Sequence, residues 1–110
     1  MLKDNIAILK LLQDAANENN VHLVPSAGAF FLFLVHLFDD TSLYDENKKR
    51  NYICYSYREL ANLSQFYHSF VASCMFSFEQ CKLIERVPYK KTFITYLDLA
   101  LFQESCFVEE

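Results

Sequence analysis

One glycine, Gly28, serves all 110 residues, and that scarcity sets the first limit on the fold. A glycine-rich loop that cradles phosphates cannot be built from it, which excludes the common nucleotide-binding fingerprints. Tight hairpins usually draw on Gly or Asn-Gly, so a many-turned β-barrel is disfavoured as well. Helices are therefore expected to dominate. Hydrophobic residues make up 53% of the chain, including 11 Phe and 7 Tyr, which excludes intrinsic disorder. At this length the expectation is one domain over residues 1–110.

The opening stretch, MLKDNIAILKLLQDAA, interleaves charges with apolar side chains, which a secretory signal core does not tolerate. The longest apolar run, Ala27 to Phe38, covers 12 residues. At about 1.5 Å per residue it falls well short of a ~30 Å bilayer core and reads as a buried helix. A cytoplasmic location without membrane contact is the expectation. Cys54, Cys74, Cys81 and Cys106 form no CxxC pair, and no His lies beside them at ligand spacing. Reduced, mostly buried thiols are expected, with no metal and no other cofactor. His22, His36 and His68 are isolated, and no Ser or Cys stands in an activating context, so no catalytic residue is assigned.

Along the chain, Leu2, Ile6, Leu9, Leu12 and Ala16 recur at helical spacing, and Asn17 to Asn20 ends that helix. Ser26 is placed to cap a second, centrally buried helix, which completes an N-terminal helical segment over 1–38. Residues 39–51, DDTSLYDENKKRN, form a polar loop without a hydrophobic period. Residues 52–98 then read as strand, short helix, turn, longer helix and β-hairpin. Ser56 and Glu59 form a capping box at the short helix, and the longer one runs from Tyr67 to Cys81. The strands are Leu83 to Val87 and Thr92 to Leu97, with Pro88 to Lys91 turning between them. Residues 99–110 form a C-terminal helix or tail, with Leu99, Phe102, Cys106 and Phe107 at helical spacing; it could pack on the first helix or join a second copy.

The segment Ser56 to Arg86, SYRELANLSQFYHSFVASCMFSFEQCKLIER, resembles a winged helix-turn-helix module. Ala61 stands at the small-residue position of the first helix, Val71 and Met75 at apolar positions of the second, and Lys82 to Arg86 lead into the wing. The resemblance covers about 45 of the 110 residues. It implies a mainly α fold with a small β-hairpin wing, here with additional N-terminal helices. Three positions depart from the pattern: Gln65 replaces the usual turn Gly, Tyr67 the usual Ser or Thr cap, and Lys82 the Gly before the wing. The second helix also contains no Lys or Arg and one charge, Glu79, where a major-groove reader normally carries cations. In size and aromatic content the chain looks like small replication-associated winged-helix proteins of Gram-positive mobile elements, such as the staphylococcal cassette chromosome. That likeness implies single-stranded DNA binding, accessory to replication or to maintenance of the element.

Charge and rings point to the candidate residues. The net charge is -4, but residues 56–98 carry five basic and four acidic side chains. Local cations lie at Lys48, Lys49 and Arg50, at Arg58, and at Lys90 and Lys91, and they fit either phosphate contacts or solvated loops. Tyr89 adjoins Lys90, Tyr52 adjoins the Lys-Lys-Arg run, and His68, Ser69 and Phe70 open the second helix. Cations interleaved with rings suit unstacked bases. Phe70 and Phe76 fit base stacking or a protein interface equally, and Phe102 and Phe107 fit a protein interface. Phe30, Phe31, Phe33, Phe38, Phe78 and Phe93 are expected in the core. Single-stranded DNA is the expected partner; duplex DNA, a replication or host protein, and a second copy stay open.

Overall fold

The computed structural model describes residues 1–104. Among these, four α-helices pack with a four-stranded antiparallel sheet in a mixed α/β fold. The helices are α1 (Asn5–Glu18), α2 (Ala27–Thr41), α3 (Tyr57–Ser64) and α4 (His68–Gln80), and the strands β1 (Leu43–Asp45), β2 (Arg50–Ile53), β3 (Ile84–Tyr89) and β4 (Thr92–Leu97). A 3-10 turn, Leu99–Phe102, follows. The sheet order is β1-β2-β4-β3. The sheet is thus larger by one strand, β1, than the expected strand and hairpin. No helix among the described residues is long and apolar enough to cross a membrane.

The extra strand β1, and the first two residues of β2, come from the segment read as a loop. Asp45 supplies the reason: its Oδ1 accepts hydrogen bonds from the Asn47 and Lys48 amides at 2.9 and 3.2 Å, and its carbonyl accepts from the Lys49 amide. An Asp bonded to the amides two and three residues on makes a turn without glycine. The flanking residues then pair, Leu43 with Tyr52 and Asp45 with Arg50.

Helix starts follow their caps. Asp4 accepts from the Ala7 amide at 2.8 Å and begins α1, so Leu2 lies outside the helix, bridged to Gln103. The buried stripe of α1 is Ile8, Leu12 and Ala16, and Ile6 is 81% exposed rather than part of it. Ser26 does not cap α2: it sits at φ 68, outside the extended conformation a capping hydroxyl needs. The capping box at α3 forms as expected, the Glu59 amide donating to Ser56 Oγ and the Ser56 amide to Glu59 Oε1.

Apolar nearly all round, α2 buries Ala27, Phe30, Phe31, Leu34, Val35 and Phe38 and stands at the centre of the core. Phe31 meets Phe78 edge-on at 4.9 Å and Phe102 at 5.4 Å. Phe102 is 1% exposed, so it is a core residue and not the interface residue expected of it. The Lys3 amide donates to the Phe102 carbonyl and clamps the turn against the N-terminus. Burial pushes the Cys74 thiol up to about 11 and raises Cys81, while Cys54 is exposed. Cys106 and Phe107 lie outside the described residues.

The single glycine acquires a different meaning here. Among the described residues six adopt positive φ, namely Asn20, Ser26, Lys49, Gln65, Lys82 and Lys90, and none is glycine. A side chain in the left-handed region costs roughly 1–2 kcal/mol unless it bonds locally. Gln65 recovers part of that by donating its side-chain amide to the Asn62 carbonyl at 2.8 Å. Gln65→Gly is expected to raise stability by about 0.5–1 kcal/mol, read as a higher melting temperature; a lower one would place the strain elsewhere.

Candidate nucleic-acid interface

The turn at Gln65 brings the first turns of α3 and α4 toward one end of the β3–β4 hairpin. Between them lies a cleft of about 290 Å³. Ser56, Tyr57 and Arg58 line it from α3, His68 from α4, and Lys91, Thr92 and Phe93 from the hairpin tip. The tip is a two-residue turn, Lys90-Lys91, between the paired Tyr89 and Thr92, with Lys90 at φ 55.

Rings wall the cleft. Tyr57 and Phe93 are near parallel, 6.3 Å apart at 17°, and His68 approaches Tyr57 edge-on at 6.1 Å. Beneath them the Arg86 guanidinium lies 5.3 Å from the Tyr57 centroid and 5.2 Å from that of Phe93. Its Nε and Nη2 both donate to Glu79 Oε1, at 3.1 and 3.0 Å. One cation therefore ties β3 to the end of α4 and fixes two cleft rings. Burial lowers the Arg86 pKa from its ordinary value.

The electrostatics favour an anion. Arg58 and Lys91 make no ion pair among the described residues. Helix N-termini carry positive partial charge, and the N-cap of α4 is Tyr67, whose side chain makes no capping hydrogen bond to the following amides. The Thr92 hydroxyl is buried at the cleft wall and has no hydrogen-bond partner among the described residues. A buried orphan hydroxyl is costly.

The expected residues do not all come together. Arg58, His68 and Lys91 meet in the cleft, with Ser69 exposed in the next position of α4. Lys48 and Arg50 do not join them. They sit by β2 residues that pair with the far end of β4, roughly 17 Å from the hairpin tip at about 3.4 Å per residue. There Glu85 binds both, at 3.2 and 3.0 Å, and Lys49 stays exposed at their turn. Tyr89 and Lys90 lie against each other at the tip, 5.3 Å from ring to ammonium. Phe70 is half-buried against Phe30 and Phe66, so its ring is largely claimed by the core. Phe76 is 56% exposed on α4, whereas the next residue, Ser77, is buried.

Three cleft residues escaped the sequence reading. Phe93 was expected in the core, yet it is 37% exposed and stacked on Tyr57. Tyr57 sits inside the capping-box segment, where attention falls on Ser56 and Glu59. Arg86 carried no signal, because its partner Glu79 is on another element. Comparison of the chain with protein-family models, curated proteins and solved structures yields no match.

Proposed function

We propose that the chain is a winged helix-turn-helix variant that binds single-stranded nucleic acid, without catalysis, in the cleft between α3, α4 and the hairpin. The element order supports the fold reading: strand β2, helix α3, turn, helix α4, then the β3–β4 hairpin as wing. So does the backbone at Gln65 and Lys82, left-handed at the two places where the module usually has glycine. β1 is then an added fourth strand.

The observation that carries the functional reading is the meeting of Arg58, Lys91 and His68 with the Tyr57–Phe93 ring pair in one open cleft. Cations with flat rings take phosphate and unstacked base together. Duplex recognition is less well served, because the exposed face of α4 offers Ser69, Ser73, Phe76 and Gln80, with no cation for phosphates or base edges. Such a contact suits an accessory part in DNA replication. The exposed Phe76 on that uncharged face favours a second reading, the docking of a protein partner.

Fluorescence anisotropy of a labelled single strand and its matched duplex, at low and moderate salt, tests the proposal. The single strand is expected to bind more tightly. Each phosphate contact contributes about 0.7 to the slope of log K against log salt, so joint Arg58→Ala and Lys91→Ala should reduce it by about 1.4. Tighter duplex binding, or an unchanged slope, would overturn the cleft reading. Binding of neither form would leave the protein-docking reading.

A further inference from the structure

The sheet has a second side. Helices pack on the face that carries Ile53, Leu97 and Ile84, and strand alternation sends Tyr52, Ile94, Tyr96 and Tyr89 to the other. On that outer face Tyr52 and Tyr96 are direct neighbours across the two central strands, with ring centroids 5.8 Å apart. A shallow groove of about 330 Å³ runs over them, with Ile94 in its wall and Tyr89 toward the hairpin tip.

We infer that this outer sheet face is a second contact for the same single strand, which leaves the cleft over the hairpin tip and stacks bases on Tyr89 and Tyr52. The inference rests on the cleft reading for the first half of that path. Continuity supports it: in the Lys90-Lys91 turn, Lys91 lines the cleft and Lys90 lies over Tyr89, which lines the groove. The cations bracket the face, Lys90 at the tip and Lys49 at the β1–β2 turn, neither of them in an ion pair among the described residues. The acids of the face are already engaged. Glu85 is held by Lys48 and Arg50, and Asp45 accepts from the Tyr96 hydroxyl at 3.2 Å. Tyr96 is covered by the Lys48 ammonium, 4.7 Å from its centroid, which leaves Tyr52 and Tyr89 as the available rings. Aromatic side chains on the open face of a four-stranded sheet are a known way to hold unpaired bases.

Anisotropy with labelled oligothymidylates of about 5 and about 15 nucleotides tests the path, the shorter filling the cleft alone and the longer reaching the sheet. The longer strand should bind more tightly. Tyr52→Ala and Tyr89→Ala should each weaken it by roughly 5- to 150-fold, and leave the shorter one unchanged. Tyr52→Phe, which keeps the ring, should restore binding. Thermal melts of the same variants confirm that they are folded. If both alanine variants bind the two lengths as the parent does, or lose both lengths equally, the face is not a contact. If Arg58→Ala with Lys91→Ala spares the shorter strand while Tyr52→Ala still weakens the longer, the cleft reading falls and the sheet contact stands. Binding of neither strand, with self-association by light scattering that Tyr52→Ala removes, would assign the face to a second copy instead.

Discussion

Phe102→Ala is expected to destabilise the folded chain by about 3–5 kcal/mol, with its oligomeric state unchanged. The side chain is 1% exposed and meets Phe31 edge-on at 5.4 Å, and Phe31 in turn meets Phe78. Truncation removes the ring's transfer energy and leaves a hole among side chains that α2 holds rigidly, so collapse around it is limited. The neighbouring 3-10 turn also anchors Lys3 through the Phe102 carbonyl, so loosening the ring should release the N-terminal segment too. For a domain of this size the loss is a large part of total stability. Urea unfolding followed by circular dichroism reads it as a lower midpoint. An unchanged midpoint with a lost dimer would restore Phe102 to an interface.

Arg86→Met should cost less stability, about 2–3 kcal/mol, but should also disturb binding at a distance from any ligand contact. The guanidinium is 17% exposed and Glu79 37%, so the pair is only partly screened by solvent. Removing the cation leaves a half-buried carboxylate unpaired and takes away the surface on which Tyr57 and Phe93 are ordered. Arg86→Lys should recover only part of the loss, because an ammonium cannot give two donors to one carboxylate and lie against two rings at once. The readouts are the melting temperature and, in the same variants, single-strand affinity. A double-mutant cycle with Glu79→Gln isolates the pair. Coupling near zero would show that Arg86 acts by stacking alone.

What could be read from the sequence were the features whose cause is local. The all-round apolar run of α2, the Ser56–Glu59 box and the alternating TFITYL of β4 each contain their own explanation. The β1–β2 hairpin was not legible, because Leu43 and Tyr44 are both exposed and show no alternation. Its turn depends on one carboxylate capturing two amides. Phe93 shares the inner face of β4 with Thr95 and Leu97, both buried. Period-two alternation gives the face but not where the helices stop covering it, and that limit made Phe93 a cleft residue. The Lys48–Arg50 cluster looked available for phosphate until Glu85, 35 residues beyond Arg50, neutralised part of it. Long-range pairings of this kind leave no periodic trace.

The sheet described above ends in two open edges, and so apolar a chain would be at risk of adding foreign strands there. Both edges are blunted. β1 is only three residues long, too short a template for stable pairing. β3 is longer but carries Pro88 next to the turn-flanking pair of Tyr89 and Thr92. That pair exchanges the ladder's hydrogen bonds, so Pro88 directs its donorless nitrogen outward, and an incoming strand meets a gap. Resistance to edge-to-edge aggregation is therefore built into the hairpin itself, which leaves its tip and faces as the places where another molecule can settle.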